Sequence, residues 1–139
     1  MRKVELLCLF LASTCGAARA QEPLPALIRG IAPAVVTIAA YDSAGLEYGT
    51  GSGFFIRHDL LVTNYHVLAG ASRAEVRTAD GKKYPVLGVA AENKSRDLIL
   101  IEIETGSWTG IKTLDMVSAL PEVGERVIVV GSPLGFEQP

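Results

Sequence analysis

The sequence predicts an all-β protein, an antiparallel six-stranded barrel preceded by a short helical arm. Short apolar runs are separated by turn residues along the chain, and no long helical pattern lies between them. The 14 glycines and the aromatic fraction of 6% are typical of many short strands and tight turns. Apolar residues make up 49% of the chain, which is enough for one modest core in a single domain.

The first 20 residues have the pattern of a secretory signal peptide. A basic start at residues 1–3 precedes an apolar run at residues 4–12, and a small-x-small cleavage pattern ends at Ala20. The apolar run is too short to span a bilayer. Cleavage after Ala20 would remove Cys8 and Cys15 and leave an exported chain without cysteine. A lipid anchor at Cys15 is the alternative.

An arm and two strands are expected next. Residues 21–33 contain three prolines around an apolar segment, which predicts an extended arm with one or two helical turns ended by Gly30 and Pro33. The β-branched and apolar run at 34–41 predicts a first strand, and residues 47–56, after a tight turn at 42–45, are expected to form the next strand. The glycines at 49, 51 and 53 indicate a bend or bulge in the second strand.

A predicted β-hairpin leads into a single histidine, His66. Two apolar runs, at 54–56 and 60–62, flank the polar turn Arg57-His58-Asp59. Residues 65–69, bounded by Gly70, are long enough for one helical turn. His66 is therefore expected just past a strand end, where the alternative to a functional role is a surface imidazole that caps a turn.

An acidic residue, Asp97, opens the next buried strand. It lies 31 residues after His66 and precedes the apolar run at 98–103, a pattern typical of a strand that enters a core. A carboxylate at that position needs a partner, since burying a charge alone is unfavourable, and a histidine N–H is a suitable one. Between the two residues, runs at 73–78 and 83–91 around Asp80-Gly81 predict a hairpin.

The last third of the sequence is less regular. Residues 107–120 form a polar excursion that holds the only tryptophan, Trp108, which is expected to pin this loop to the barrel. Residues 121–125 predict a turn into the apolar run at 126–130, interpreted as the last strand of the barrel. Residues 131–135 then lead away from it.

Three segments carry a family resemblance. They read GSGFFIRHDLLVTNYHVLAGA (51–71), SRDLILIEI (95–103) and VGERVIVVGSPLG (123–135), and in order and spacing they resemble HtrA-type, DegP-like serine proteases of the trypsin-like peptidase superfamily. Beside the signal peptide at 1–20 and the arm at 21–33 expected from their own patterns, the resemblance implies that residues 34–139 are the first of two chymotrypsin-like barrels. It also implies that His66 is the general base and that Asp97 orients it.

The resemblance implies a serine endopeptidase of the bacterial periplasm that acts on unfolded or damaged proteins. The arm at 21–33 would take part in trimer contacts, or else lie as a strap across its own barrel. None of the eight serines lies in a G-x-S-x-G context, and Ser52 is interpreted as structural. The chain alone is therefore predicted to be inactive. The alternative is a non-catalytic exported barrel, a binding module or pseudo-protease.

No cofactor, metal or nucleic acid is expected as a partner. The formal net charge of −2 gives no basic surface for nucleic acid. His58 and His66 are the only imidazoles, and no tight cluster of metal-ligating residues accompanies them. His58 is interpreted as a surface residue of the hairpin turn.

Overall fold

A closed antiparallel barrel forms the body of the protein. The structure, a computed structural model, describes residues 23–106 and 110–131. The strand order is β1-β2-β3-β6-β5-β4, with β4 paired back onto β1, so the prediction of a six-stranded antiparallel barrel is confirmed. The strands are β1 (Val35–Tyr41), β2 (Glu47–Arg57), β3 (Leu60–Thr63), β4 (Arg73–Arg77), β5 (Lys83–Asn93) and β6 (Leu98–Ile103). The predicted signal peptide and Trp108 lie outside the described residues.

A short helical arm precedes the barrel, as the prolines predicted. Helix α1 (Leu24–Ile31) begins after Pro23 and runs into a 3₁₀ turn over residues 32–34. The predicted end at Gly30 is wrong, because Gly30 lies inside α1 and the N–H of Ala32 still bonds to the carbonyl of Ile28. Pro33, which has no N–H to donate, lies in the 3₁₀ turn that ends the arm.

The core is built from large side chains on facing strands. Phe55 on β2 lies opposite Leu61 on β3, and Leu61 lies opposite Ile101 on β6. All three are fully buried, so they form one continuous row across the barrel wall. Strand β3 therefore has a fixed position, and the segment that follows it begins from a rigid support.

The tight turns follow their predicted chemistry. Asp42 accepts hydrogen bonds from the N–H groups of Ala44 and Leu46, and Gly45 has a φ of 79°. Gly81, with a φ of 80°, closes the hairpin between β4 and β5. The expected bulge in β2 is also present. Ala40 of β1 pairs with Gly49 of β2, but the next residue, Tyr41, pairs with Glu47.

The predicted strand at 126–130 is wrong. The described residues 110–131 contain neither helix nor strand, and the Val129 side chain is 93% exposed. A strand needs a neighbouring strand to satisfy its backbone N–H and C=O groups. Because the pairing of β4 with β1 closes the barrel, none of the six strands leaves an unpaired edge with which residues 126–130 could pair.

Candidate active site

The two predicted site residues are brought together by neighbouring strands. His66 lies on α2 (Tyr65–Leu68), a single helical turn that follows β3. Asp97 lies between a 3₁₀ turn at Lys94–Arg96 and β6. Strands β3 and β6 are antiparallel neighbours, with Thr63 opposite Ile99. The end of one strand and the beginning of the next therefore lie at the same rim of the barrel.

His66 and Asp97 are joined by two hydrogen bonds. The ring Nδ1 of His66 is 2.6 Å from Oδ2 of Asp97, and the backbone N–H of His66 donates to Oδ1 at 2.9 Å. An ionised carboxylate only accepts hydrogen bonds, so Nδ1 is the protonated nitrogen. In a neutral imidazole this leaves Nε2 as a proton acceptor. The His66 side chain is 71% exposed, so a reacting group can approach it.

The carboxylate of Asp97 is kept ionised by these contacts. The backbone N–H of His66, and next its ring, hold the pKa of Asp97 below its ordinary value, and the Asn64 amide adds to this in smaller measure. The Asp97 side chain is 43% exposed, so it lies at the outer end of the buried strand. Hydrogen bonds rather than burial therefore set its charge.

The backbone of Asp97 is tied to the segment that carries His66. Its carbonyl accepts hydrogen bonds from the Tyr65 N–H at 3.2 Å and from the Asn64 side-chain amide at 3.1 Å. Sequence reasoning missed both groups. In the sequence, Asn64 stands out only as an asparagine just before a helical turn. That position predicts an N-cap, but Asn64 makes no such cap.

Gly51 on β2 gives α2 room to lie against the barrel. Val67, the residue after His66, is buried. A Cβ built at Gly51 would overlap Cγ2 of Val67 and lie 2.8 Å from its Cγ1. The glycine spacing in β2 that predicted a bend therefore also permits a close approach beneath the candidate base.

The remaining candidate residues lie elsewhere in the barrel. Ser52 is part of β2, where its carbonyl accepts a hydrogen bond from the Thr63 hydroxyl at 2.7 Å. Within the described residues, the hydrogen-bond partner of the His66 ring is Asp97. His58 lies in the β2–β3 turn with its side chain 71% exposed, as predicted.

The part of the chain that the structure describes contains no group of three or more metal-ligating side chains. In that same part, no helix has the length and apolar character needed to cross a membrane.

Sequence comparisons relate this chain to known proteins. A model of the trypsin-like peptidase domain matches residues 51–139. A probable periplasmic serine endoprotease, DegP-like, from Hahella chejuensis is 38% identical over 89 residues, which cover 63% of this chain. The anti-sigma-I factor RsgI9 of Acetivibrio thermocellus is 28% identical over 121 residues, or 84% of the chain. These matches amount to 18% and 17% of the two relatives, so the chain spans less than a fifth of their length.

Solved structures show the same architecture. The crystal structure of the serine endoprotease from Yersinia pestis superposes with a TM-score of 0.63 at 22% identity, over 76% of this chain and 37% of that one. The likeness shows the fold. The residues matched by the trypsin-like peptidase model, 51–139, include both His66 and Asp97. The chain therefore belongs to the trypsin-like peptidase family and is homologous to serine proteases of the HtrA/DegP type.

Proposed function

We propose that this chain supplies the general base and its orienting carboxylate to an exported, HtrA-type serine endopeptidase that acts on unfolded or damaged proteins. The observation that carries the proposal is the contact of 2.6 Å between Nδ1 of His66 and Oδ2 of Asp97. Homology to serine endoproteases supports the reaction class. The word periplasmic in the name of the Hahella relative, together with the signal-peptide pattern, supports export.

Each residue has a distinct role in the proposed reaction. His66 Nε2 takes the proton from a serine hydroxyl as that oxygen attacks the peptide carbonyl, and later gives the proton to the leaving amine. Asp97 keeps the proton on Nδ1 and stabilises the imidazolium that forms. A separate set of N–H donors must stabilise the oxyanion of the tetrahedral intermediate.

The nucleophile in this proposal comes from outside the described residues. The His66 ring is bonded to Asp97, and Ser52, the serine with the most suggestive sequence context, belongs to strand β2. A base without a positioned hydroxyl cannot start acyl transfer. Because none of the eight serines in the sequence lies in a G-x-S-x-G context, we expect the 139-residue chain alone to be inactive.

The proposal is tested by finding the serine. The coding sequence after codon 139 is read in all three frames for a G-x-S-x-G segment, and the product that contains it is assayed on unfolded casein. We expect an in-frame segment, hydrolysis by that product, and loss of hydrolysis in His66→Ala. A stop codon without such a segment would contradict the proposal, and so would hydrolysis by the 139-residue chain itself.

A non-catalytic binding module is the second candidate. It is favoured by the absence, within the described residues, of a hydroxyl bonded to His66. The relative named as an anti-sigma factor also shows that similar sequences occur in proteins whose names do not state a protease activity. Under this alternative, His66→Ala would leave the function of the complete protein unchanged.

A further inference from the structure

Asp97 is held in an uncommon backbone conformation. Its φ of 53° and ψ of 44° place it in the left-handed region, and it is the only non-glycine residue with positive φ among the described residues. A side chain with a Cβ is disfavoured there, although aspartate tolerates it better than most residues. Such a conformation persists only where neighbouring groups hold it, and it often marks a functional position.

The groups that hold this conformation come from two sides. The Asp97 N–H donates to the carbonyl of Lys94 at 3.2 Å, which closes the preceding 3₁₀ turn. The Asp97 carbonyl accepts from the Tyr65 N–H and from Nδ2 of Asn64. Both of the latter donors lie in the segment that leads into His66, so the same short stretch fixes the base and the backbone of its orienter.

Within the described residues, the Asn64 side chain contacts Asp97 and does not cap its own helix. It occupies the N-cap position of α2, where asparagine ordinarily accepts a hydrogen bond from an N–H of the first turn. Here the side chain makes no cap and instead donates to a carbonyl 33 residues further along the chain. The residue is exposed, so packing does not require an asparagine either.

The carboxylate of Asp97 depends on this backbone arrangement. Both of its oxygens meet His66, one at the backbone N–H and one at the ring. If the Asp97 backbone returned to an ordinary conformation, the direction of its Cα–Cβ bond would change and the two contacts could not both be kept.

We propose that Asn64 is a positioning residue, whose amide holds the Asp97 backbone so that the carboxylate orients the His66 ring. This inference rests on the proposed function, because orientation of the ring matters only if His66 acts as a base. Asn64 itself touches neither the ring nor the reacting atoms in this scheme. Its effect passes entirely through Asp97.

The test uses NMR on the 139-residue chain and two variants. Asn64→Ala removes the amide, and Asn64→Ser keeps a side chain that can cap α2 but removes the amide donor without adding a charge beside Asp97. Two signals are recorded, the titration of the Asp97 carboxyl carbon and the low-field proton resonance of Nδ1–H on His66. Asp42→Ala is the matched control, because Asp42 also holds backbone N–H groups, but only those of its own turn.

We expect the Asp97 pKa to rise toward its ordinary value in both Asn64 variants, and the low-field resonance to shift or disappear through exchange with water. Asp42→Ala should lower the free energy of unfolding and leave both signals in place. Unchanged signals in both folded Asn64 variants would overturn this inference alone. Absence of the low-field resonance in the unsubstituted chain would instead overturn the proposed pairing of base and orienter.

Discussion

Asp97 accepts two hydrogen bonds from one residue, His66, through the backbone N–H at 2.9 Å and the ring Nδ1 at 2.6 Å. The two bonds have different consequences. Because Oδ1 of Asp97 accepts the hydrogen bond from the backbone N–H, Oδ2 is the oxygen that faces the imidazole ring. The ring bond then selects the tautomer in which Nε2 accepts a proton. The geometry of the pair is thus determined before any substrate binds.

The first prediction concerns the charge of Asp97. In the protein that carries the nucleophilic serine, Asp97→Asn is expected to lower kcat by about 10⁴-fold. The His66 backbone N–H would bind the amide oxygen, so the amide NH₂ would face Nδ1 and force the wrong tautomer. The measurement is the rate of casein hydrolysis. Asp59→Asn is the control, since Asp59 is a similarly exposed carboxylate that binds Arg57. Equal rates for the two variants would contradict the role of Asp97.

The second prediction concerns stability in acid. The pKa of Asp97 is lowered in the folded protein, chiefly by the backbone N–H of His66, so the carboxylate stabilises the fold at pH values above its unfolded pKa. That contribution is lost as the pH falls through the lowered pKa. Urea unfolding measured against pH should therefore show a shallower acid decline in Asp97→Asn than in the unsubstituted chain. If the two variants showed parallel curves of unfolding free energy against pH, Asp97 would have the same pKa in the folded and unfolded protein.

The third prediction concerns the support beneath His66. Gly51→Ala is expected to lower the free energy of unfolding by about 1–3 kcal/mol, because the new methyl group would overlap Val67 and displace α2. Gly49→Ala is the matched control, since a Cβ there meets nothing within 4 Å. Urea denaturation gives both values. If the two variants were equally stable, the close approach of Val67 to Gly51 would not be a constraint.

The fourth prediction concerns the exposed apolar side chains after residue 115. Val123 and Val129 are among the most exposed, and exposed apolar side chains favour association. Replacing both with lysine should reduce binding of a hydrophobic dye and aggregation. The free energy of unfolding should change by no more than about 0.5 kcal/mol.

A buried valine provides the comparison. Val76 on β4 is fully buried, and Val76→Thr should lower the free energy of unfolding by about 1–3 kcal/mol because a hydroxyl would enter the core. A similar loss in the double lysine variant would mean that Val123 and Val129 are packed in solution.

Much of the barrel was predictable because its signals are local. Asp42 and Gly45 define one turn and Gly81 another, and each acts through its own backbone within a few residues. The pairing of His66 with Asp97 was also accessible, since each residue follows or precedes a clear strand. The periodicity of the sequence does not define the register between β3 and β6. That register brings His66 and Asp97 into contact.

Apart from the helix end at Gly30, the features that the sequence did not reveal share one physical cause, which is dependence on a distant neighbour. The run at 126–130 has strand composition, but a strand exists only where another strand accepts its hydrogen bonds. The role proposed for Asn64 depends on a carbonyl 33 residues away, and local reasoning gives only the N-cap interpretation. The close approach of Val67 to Gly51 likewise joins two elements whose contact the sequence alone does not specify.

The most direct test of the account is the proton resonance of Nδ1–H on His66, recorded on the 139-residue chain and on Asp97→Ala. We predict a low-field resonance in the unsubstituted chain, because the Nδ1 proton lies in a hydrogen bond of 2.6 Å to a carboxylate. The resonance should vanish in Asp97→Ala and persist in Asp59→Ala. A chain that folds but shows no such resonance, or that keeps it in Asp97→Ala, would contradict the assignment of Asp97 as the residue that orients His66.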